Sequence, residues 1–151
     1  MNTLITMKLN VVYQNPNHLQ PHPQNARTHS KHQIRQIAES IRAFGFTNPV
    51  LVDARNQIIA GHGRVAAAKS LGVVEVPTIR LDQMTEEQIR AYVIADNKLA
   101  ENAGWDKATL AIELDYLLKL ETLDFDVTIT GFEVPEIDLI LEEAKGSRGR
   151  C

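Results

Sequence analysis

Thiol chemistry has almost nothing to work with in this chain. The one cysteine, Cys151, is the last of 151 residues. An intramolecular disulfide framework and a cysteine-built zinc site are therefore excluded. Aromatic residues are sparse, at 5%. No apolar run approaches the roughly 18 residues of a membrane span. The opening stretch MNTLITMKLNVVYQN lacks the apolar core of a signal peptide, and a cytoplasmic protein is the expectation. What is present is ordinary for a folded domain of this length: 44% hydrophobic and 23% charged residues.

The net charge of −3 conceals an asymmetry. Residues 1–80 hold 9 Lys/Arg against 3 Asp/Glu, together with all 5 histidines. Residues 81–151 hold 7 Lys/Arg against 16 Asp/Glu. A basic half suits an anionic ligand, nucleotide or nucleic acid. The bland alternative is that both sets of charges face solvent.

Residues 8–14 read as a short strand, and the segment from Asn15 to Thr28, with Pro16, Pro21 and Pro23, as irregular. Ser30 and Gln33 form a capping box that opens a helix. Ile34, Ile37, Ala38, Ile41 and Phe44 follow as its buried stripe, and Gly45 as a left-handed cap. Two strand-like runs, 49–53 and 57–60, flank a turn at Ala54-Arg55-Asn56. A helix over 64–71 stops at Gly72, and 76–81 reads as another strand. Thr85 and Gln88 open a helix expected to run to Ile94, with Asn97 as a break. Asp106 caps a helix over 107–120, residues 127–130 look extended, and Pro135 starts a last amphipathic helix. The expected fold class is α+β: a mixed α/β core at 8–81, a helical extension at 82–144 and a disordered tail at 145–151.

The stretch that carries chemistry runs from Ile58 to Lys69. It reads as a strand, a tight glycine loop and a helix start. Gly61 and Gly63 permit positive φ and a close approach to the backbone. A helix N-terminus offers unpaired N–H groups and the positive end of a dipole, which suits an anion. Arg64 adds a planar fork matched to phosphate oxygens. His62 adds a hydrogen-bond donor or a proton-transfer group. A plain strand-to-helix turn with a surface arginine is the competing reading.

With Asn25-Ala26-Arg27, Gly45 through Val50, the Gly61-His62-Gly63-Arg64 loop and Val76-Pro77 in that order, residues 19–81 resemble the ParB/sulfiredoxin-like domain. Gly45 to Val50 is similar to that family's G-x-x-x-P-[IV] box, and Gly61 to Arg64 to its phosphate box. Adding Ile94-Ala95-Asp96-Asn97, Gly104-Trp105-Asp106 and Thr130-Gly131-Phe132, the chain most resembles ParB-like domains fused in front of DNA-adenine methyltransferases of phages and bacteria. Either a stand-alone relative or an N-terminal fragment fits.

ParB partition proteins bind CTP with Mg²⁺ in this fold and use it as a DNA-clamp switch. The resemblance implies that Gly61, His62, Gly63 and Arg64 cradle the phosphates of CTP or ATP, with Arg27 reaching them from the proline-rich segment. Gly45, Phe46, Thr47, Asn48 and Pro49 would line the base and sugar. Asp96 and Asn97 would hold Mg²⁺ through hard oxygens. The implied partners are a methyltransferase domain or protein, DNA bound non-specifically or through a partner, and a second copy in a homodimer.

The sequence departs from the family at Gly63, where ParB has a second arginine, and at Lys98-Leu99-Ala100, where ParB has another. A thiol-dependent sulfiredoxin activity is excluded, because that enzyme's cysteine would fall at His62. No basic helix follows residue 100, so no helix-turn-helix DNA reader is expected there.

Three functions compete: a nucleotide-binding module in a DNA-associated system, a phosphotransferase or NTPase using His62 and Asp96, and a nuclease. The nuclease is weakest, since the basic half offers only Glu39, Asp53 and Glu75 for metal. His18, His22, His29 and His32 read as surface histidines. Trp105 reads as a packing anchor.

Overall fold

The computed structural model describes residues 8–23, 25, 28–120 and 122–148. Among them, β1 (Val11–Gln14), β2 (Gln20–Pro21), β3 (Val50–Val52), β4 (Gln57–Ala60) and β5 (Val76–Arg80) build one mixed sheet in the order β1-β5-β3-β4-β2. β3 runs parallel to β5 and antiparallel to β4, while β2 is parallel to β4. The β3–β4 turn is set by Asp53, whose Oδ1 accepts from the amides of Arg55 (2.8 Å) and Gln57 (2.9 Å). Asn56 takes the turn's positive φ of 60°, a conformation that asparagine tolerates well.

Side chains alternate across a strand, and β4 uses both of its faces. Ile58 joins Val50, Val52, Val65 and Ala68 in one cluster; Ile59 joins Ile79, Leu81, Ile89 and Val93 in another. The first cluster draws on α2 (His62–Leu71) and the second on α3 (Glu86–Asn102). The sheet is therefore covered on both sides, which explains why its central strands read as plain apolar runs.

Helix α1 (Lys31–Phe44) begins at Ser30, whose Oγ accepts from the Gln33 amide at 3.0 Å. The box is only half made, because the Gln33 side chain turns to His29 instead (3.1 Å). Gly45 ends α1 at φ 85°, ψ 175°, outside the left-handed helical conformation expected of it, though its N–H still reaches Ile41 O at 2.8 Å. At α3 both halves of the Thr85–Gln88 box form, at 3.2 and 2.8 Å. The break expected at Asn97 does not occur. Its Nδ2 donates to Val93 O at 2.8 Å, one turn back, which satisfies the amide within the helix.

The chain divides into two compact units, 1–100 and 101–151. The boundary lies later than residue 81 because α3 buries Ile89 and Val93 against the sheet. The second unit holds α4 (Lys107–Lys119) and α5 (Val134–Arg148), packed around Leu114, Val127 and Ile137. Asp106 caps α4 as expected, accepting from the Thr109 amide at 3.1 Å. Trp105 meets Phe132 edge-on at 5.4 Å while staying largely exposed.

Two expectations fail here. Residues 127–130 form a 3-10 turn rather than a strand, since Asp126 Oδ1 caps the Thr128 amide (2.9 Å) and left-handed Gly131 closes the turn. The tail expected from 145 is helical as far as Arg148. Among the described residues, no helix is long and apolar enough to cross a membrane.

Candidate functional site

β4 ends at Ala60, and Gly61 turns the chain at φ 107°, ψ 22° into α2. No side chain caps this helix. Its first internal bond runs from the Val65 amide to Gly61 O at 2.9 Å. The amides of His62, Gly63 and Arg64 therefore stand outside the helical ladder, at the positive end of the dipole.

Glycine is required at 61 by its positive φ, and a Cβ there would lie 2.9 Å from Arg64 Nη2, so the guanidinium would have to shift. Arg64 folds back over the loop, and its Nη2 donates to Pro49 O at 3.0 Å. Its Nε is buried with no partner among the described residues. A buried, unsatisfied N–H of this kind costs free energy comparable to a lost hydrogen bond. Burial lowers the Arg64 pKa, and the carboxylate of Asp96 opposes that shift. Gly63 has a different reason for lacking a side chain. A Cβ there would meet Ile37 Cδ1 at 2.9 Å and the His29 ring at 3.1 Å.

The His62 ring is fixed by main chain. Its Nε2 accepts from the His22 backbone N–H at 3.2 Å. Burial, then the proximity of His22 and His29, pulls its pKa down to about 4. The loop opens on a cavity of about 140 Å³, whose walls include Gly61, His62, Gly63, Arg64, Asp96 and Asn97. Successive helical residues diverge by about 100°, yet Asp96 and Asn97 both reach it. Asp96 is exposed and interacts with the Tyr92 hydroxyl; burial first, and then that carboxylate, raise the Tyr92 pKa.

Six sequence-derived site residues thus converge. The 45–49 segment behaves differently. Pro49 joins the loop through its carbonyl, whereas Gly45, Phe46, Thr47 and Asn48 do not line the cavity. Phe46 packs instead against the cluster containing Val50 and Val65. Arg27 lies outside the described residues. Sequence reasoning missed Asn25, His29 and Ile37 on the cavity wall. It also placed His22 on the surface, where the structure leaves it only 8% exposed. The proline-rich segment carrying Arg27 was the available signal for His22 and Asn25, which flank it.

Residues 4–97 match the model of the ParB N-terminal domain. The chain belongs to that family. Residues 108–149 match the ParB-methyltransferase HTH domain. This overturns the expectation of no helix-turn-helix after residue 100: α4 and α5 lie in it, and acidity says nothing against a fold.

The ParB-like nuclease domain-containing protein YnaK of Escherichia coli K12 is 53% identical over 81 residues, covering 54% of this chain and 93% of that protein. A probable chromosome 2-partitioning protein ParB of Deinococcus radiodurans is 37% identical over 82 residues, 52% of this chain but 28% of that protein. The C-terminally truncated Caulobacter crescentus ParB complexed with CTP-gamma-S superposes with a TM-score of 0.70 at 22% identity, covering 87% of this chain and 77% of that one. A Pnob8-like ParB-N domain gives 0.52 at 18% identity, over 96% and 65%. At these identities the structural likeness establishes the ParB fold alone.

Proposed function

We propose that the first unit is a nucleotide-binding module, taking CTP or ATP with Mg²⁺, and that it serves a DNA-associated system with a methyltransferase as partner. The observation that carries this is the loop at 61–64. Free helix-terminal amides and the Arg64 side chain meet at one small cavity. The amides are donors without acceptors, and phosphate oxygens are acceptors without donors. The Caulobacter relative was solved with a CTP analogue.

At about 140 Å³ the cavity is smaller than the roughly 300–1,000 Å³ of whole-ligand pockets. It suits the phosphates, with sugar and base lying outside along residues 45–49. Across it, Asp96 and the free oxygen of Asn97 suit Mg²⁺, which takes one or two protein oxygens together with phosphate and water. Bound there, the ion would neutralise phosphate charge. The residues' own task is to bind and orient: Arg64 as cation, the loop amides as fixed dipoles.

A phosphotransferase reading has less support, because His62 Nε2 already accepts a main-chain bond and the ring resists protonation. For a nuclease, the described residues hold no group of three His, Cys, Asp or Glu placed for a metal.

The test is a calorimetric titration of CTP, ATP and GTP, with and without Mg²⁺. Wild type is expected to bind at least one of them. Arg64→Ala is expected to weaken binding tenfold or more, the scale of a hydrogen bond to a charged group. No binding of any nucleotide by folded wild type overturns the proposal.

A further inference from the structure

We infer that His62 meets its ligand as a neutral imidazole, giving Nδ1–H to a phosphate oxygen, with the backbone N–H of His22 holding it in that tautomer. The inference rests on the phosphate-binding reading above and adds the atom, the charge state and the residue that fixes both.

A backbone amide can only donate. The 3.2 Å contact therefore requires a lone pair on His62 Nε2. A neutral imidazole carries one N–H, which leaves it on Nδ1. Among the described residues nothing partners Nδ1, and the ring lines the cavity.

The donor is rigidly placed. Gln20 and Pro21 pair with Gln57 and Ile58 in parallel register, so His22 leaves β2 beside the loop that leaves β4. His22 is itself buried. Protonating His62 would turn Nε2–H⁺ against the His22 amide and set a cation beside His29 and Arg64, both on the same cavity wall.

The consequence concerns ligand class. With His62 neutral, the only permanent protein cation on the described wall is Arg64. The wall also carries the carboxylate of Asp96. Discrimination is then by donor geometry, and His62 is a positioning and specificity residue.

Two measurements test this on the full chain. In ¹⁵N-histidine spectra of unliganded protein, Nε2 of His62 should show the pyridine-type resonance and Nδ1 the pyrrole-type. The reverse assignment overturns the inference. CTP and inorganic triphosphate, each with Mg²⁺, are then titrated into His62→Asn, whose amide N–H stands near the Nδ1 position, and His62→Gln, whose amide stands near Nε2. Both variants are checked by circular dichroism. The Asn variant should stay within about threefold of wild type, and the Gln variant should lose about tenfold or more. The opposite order, or equal losses, overturns the inference while leaving the nucleotide reading intact. Failure of wild type to bind these probes, and ATP as well, overturns the nucleotide reading, and the donor role with it.

Discussion

The two units differ in how they use their polar residues. In the first, residues 1–100 carry 11 Lys/Arg against 7 Asp/Glu, and polar groups turn inward: Thr78 is 1% exposed, its Oγ1 donating to Val12 O and accepting from Gln14. In the second, residues 101–151 carry 5 Lys/Arg against 12 Asp/Glu, and the described polar bonds include caps at Asp106 and Asp126 and exposed ion pairs. Lys119 bonds Asp115 at 2.7 Å, and Lys107 reaches Glu143 at 4.0 Å, all four side chains being well exposed. The first unit therefore draws polar groups into its interior and bonds them across strands. In the second, Lys107 and Lys119 pair with carboxylates of the same unit. A helix-turn-helix assignment thus describes the second unit's architecture, whereas what it touches depends on its surface charge.

The largest effect that would sharpen this comparison is core truncation in each unit separately. Ile59→Ala removes a side chain that is 2% exposed in the sheet core and should cost about 2–5 kcal/mol in urea unfolding. Leu114→Ala, also at 2%, should cost a similar amount. If the units are independent, each change should move only its own unit's signals in hydrogen exchange. A single shared loss of protection would break the division at residue 100.

A smaller effect separates the units by pH. Only the first contains histidine. The His62 pKa falls from 6.5 to about 4 on folding, so between those values the unfolded chain binds more protons than the native one. Stability is fully present above about pH 6.5 and declines as pH falls toward 4. The ring is only half-buried, so solvent screening reduces the effect to about 1–2 kcal/mol. Thermal melts at pH 7 and pH 4.5 should show this loss for wild type and a smaller one for His62→Asn. An identical pH response in both would remove His62 as the cause.

The smallest effect should treat the units alike. Ser30→Ala and Asp106→Ala each remove one N-cap bond, and each should cost about 1 kcal/mol in thermal unfolding. A much greater loss at Ser30 would mean that α1's start is bound up with the neighbouring cavity through His29.

These residues also mark how far the sequence was legible. Caps at Ser30, Thr85 and Asp106, and the loop at 61–64, are local patterns whose chemistry is complete within four residues, and the structure keeps them. What escaped depends on distance along the chain. His22 lies forty residues from His62, and only the β2–β4 register brings them together. His29 reaches the cavity because Gly63 leaves it room. Phe46 reads as a base-lining ring in the sequence, and its packing against the cluster containing Val50 and Val65 is set by residues up to 30 positions away, at Val76. Val127–Thr130 has strand-like residues, yet Asp126 offers the backbone a tighter turn. The charge division at 80/81 suggested a domain boundary, whereas apolar packing carried the first unit on through α3.

The bond from Arg64 to Pro49 has one more consequence. A long cationic side chain ordinarily forfeits rotational freedom at the moment it captures an anion, roughly 0.5–1.5 kcal/mol for each one immobilised. Here the Pro49 carbonyl has already fixed the guanidinium at 3.0 Å. That entropy is lost during folding, so under the proposed function the guanidinium would meet a phosphate without losing it again.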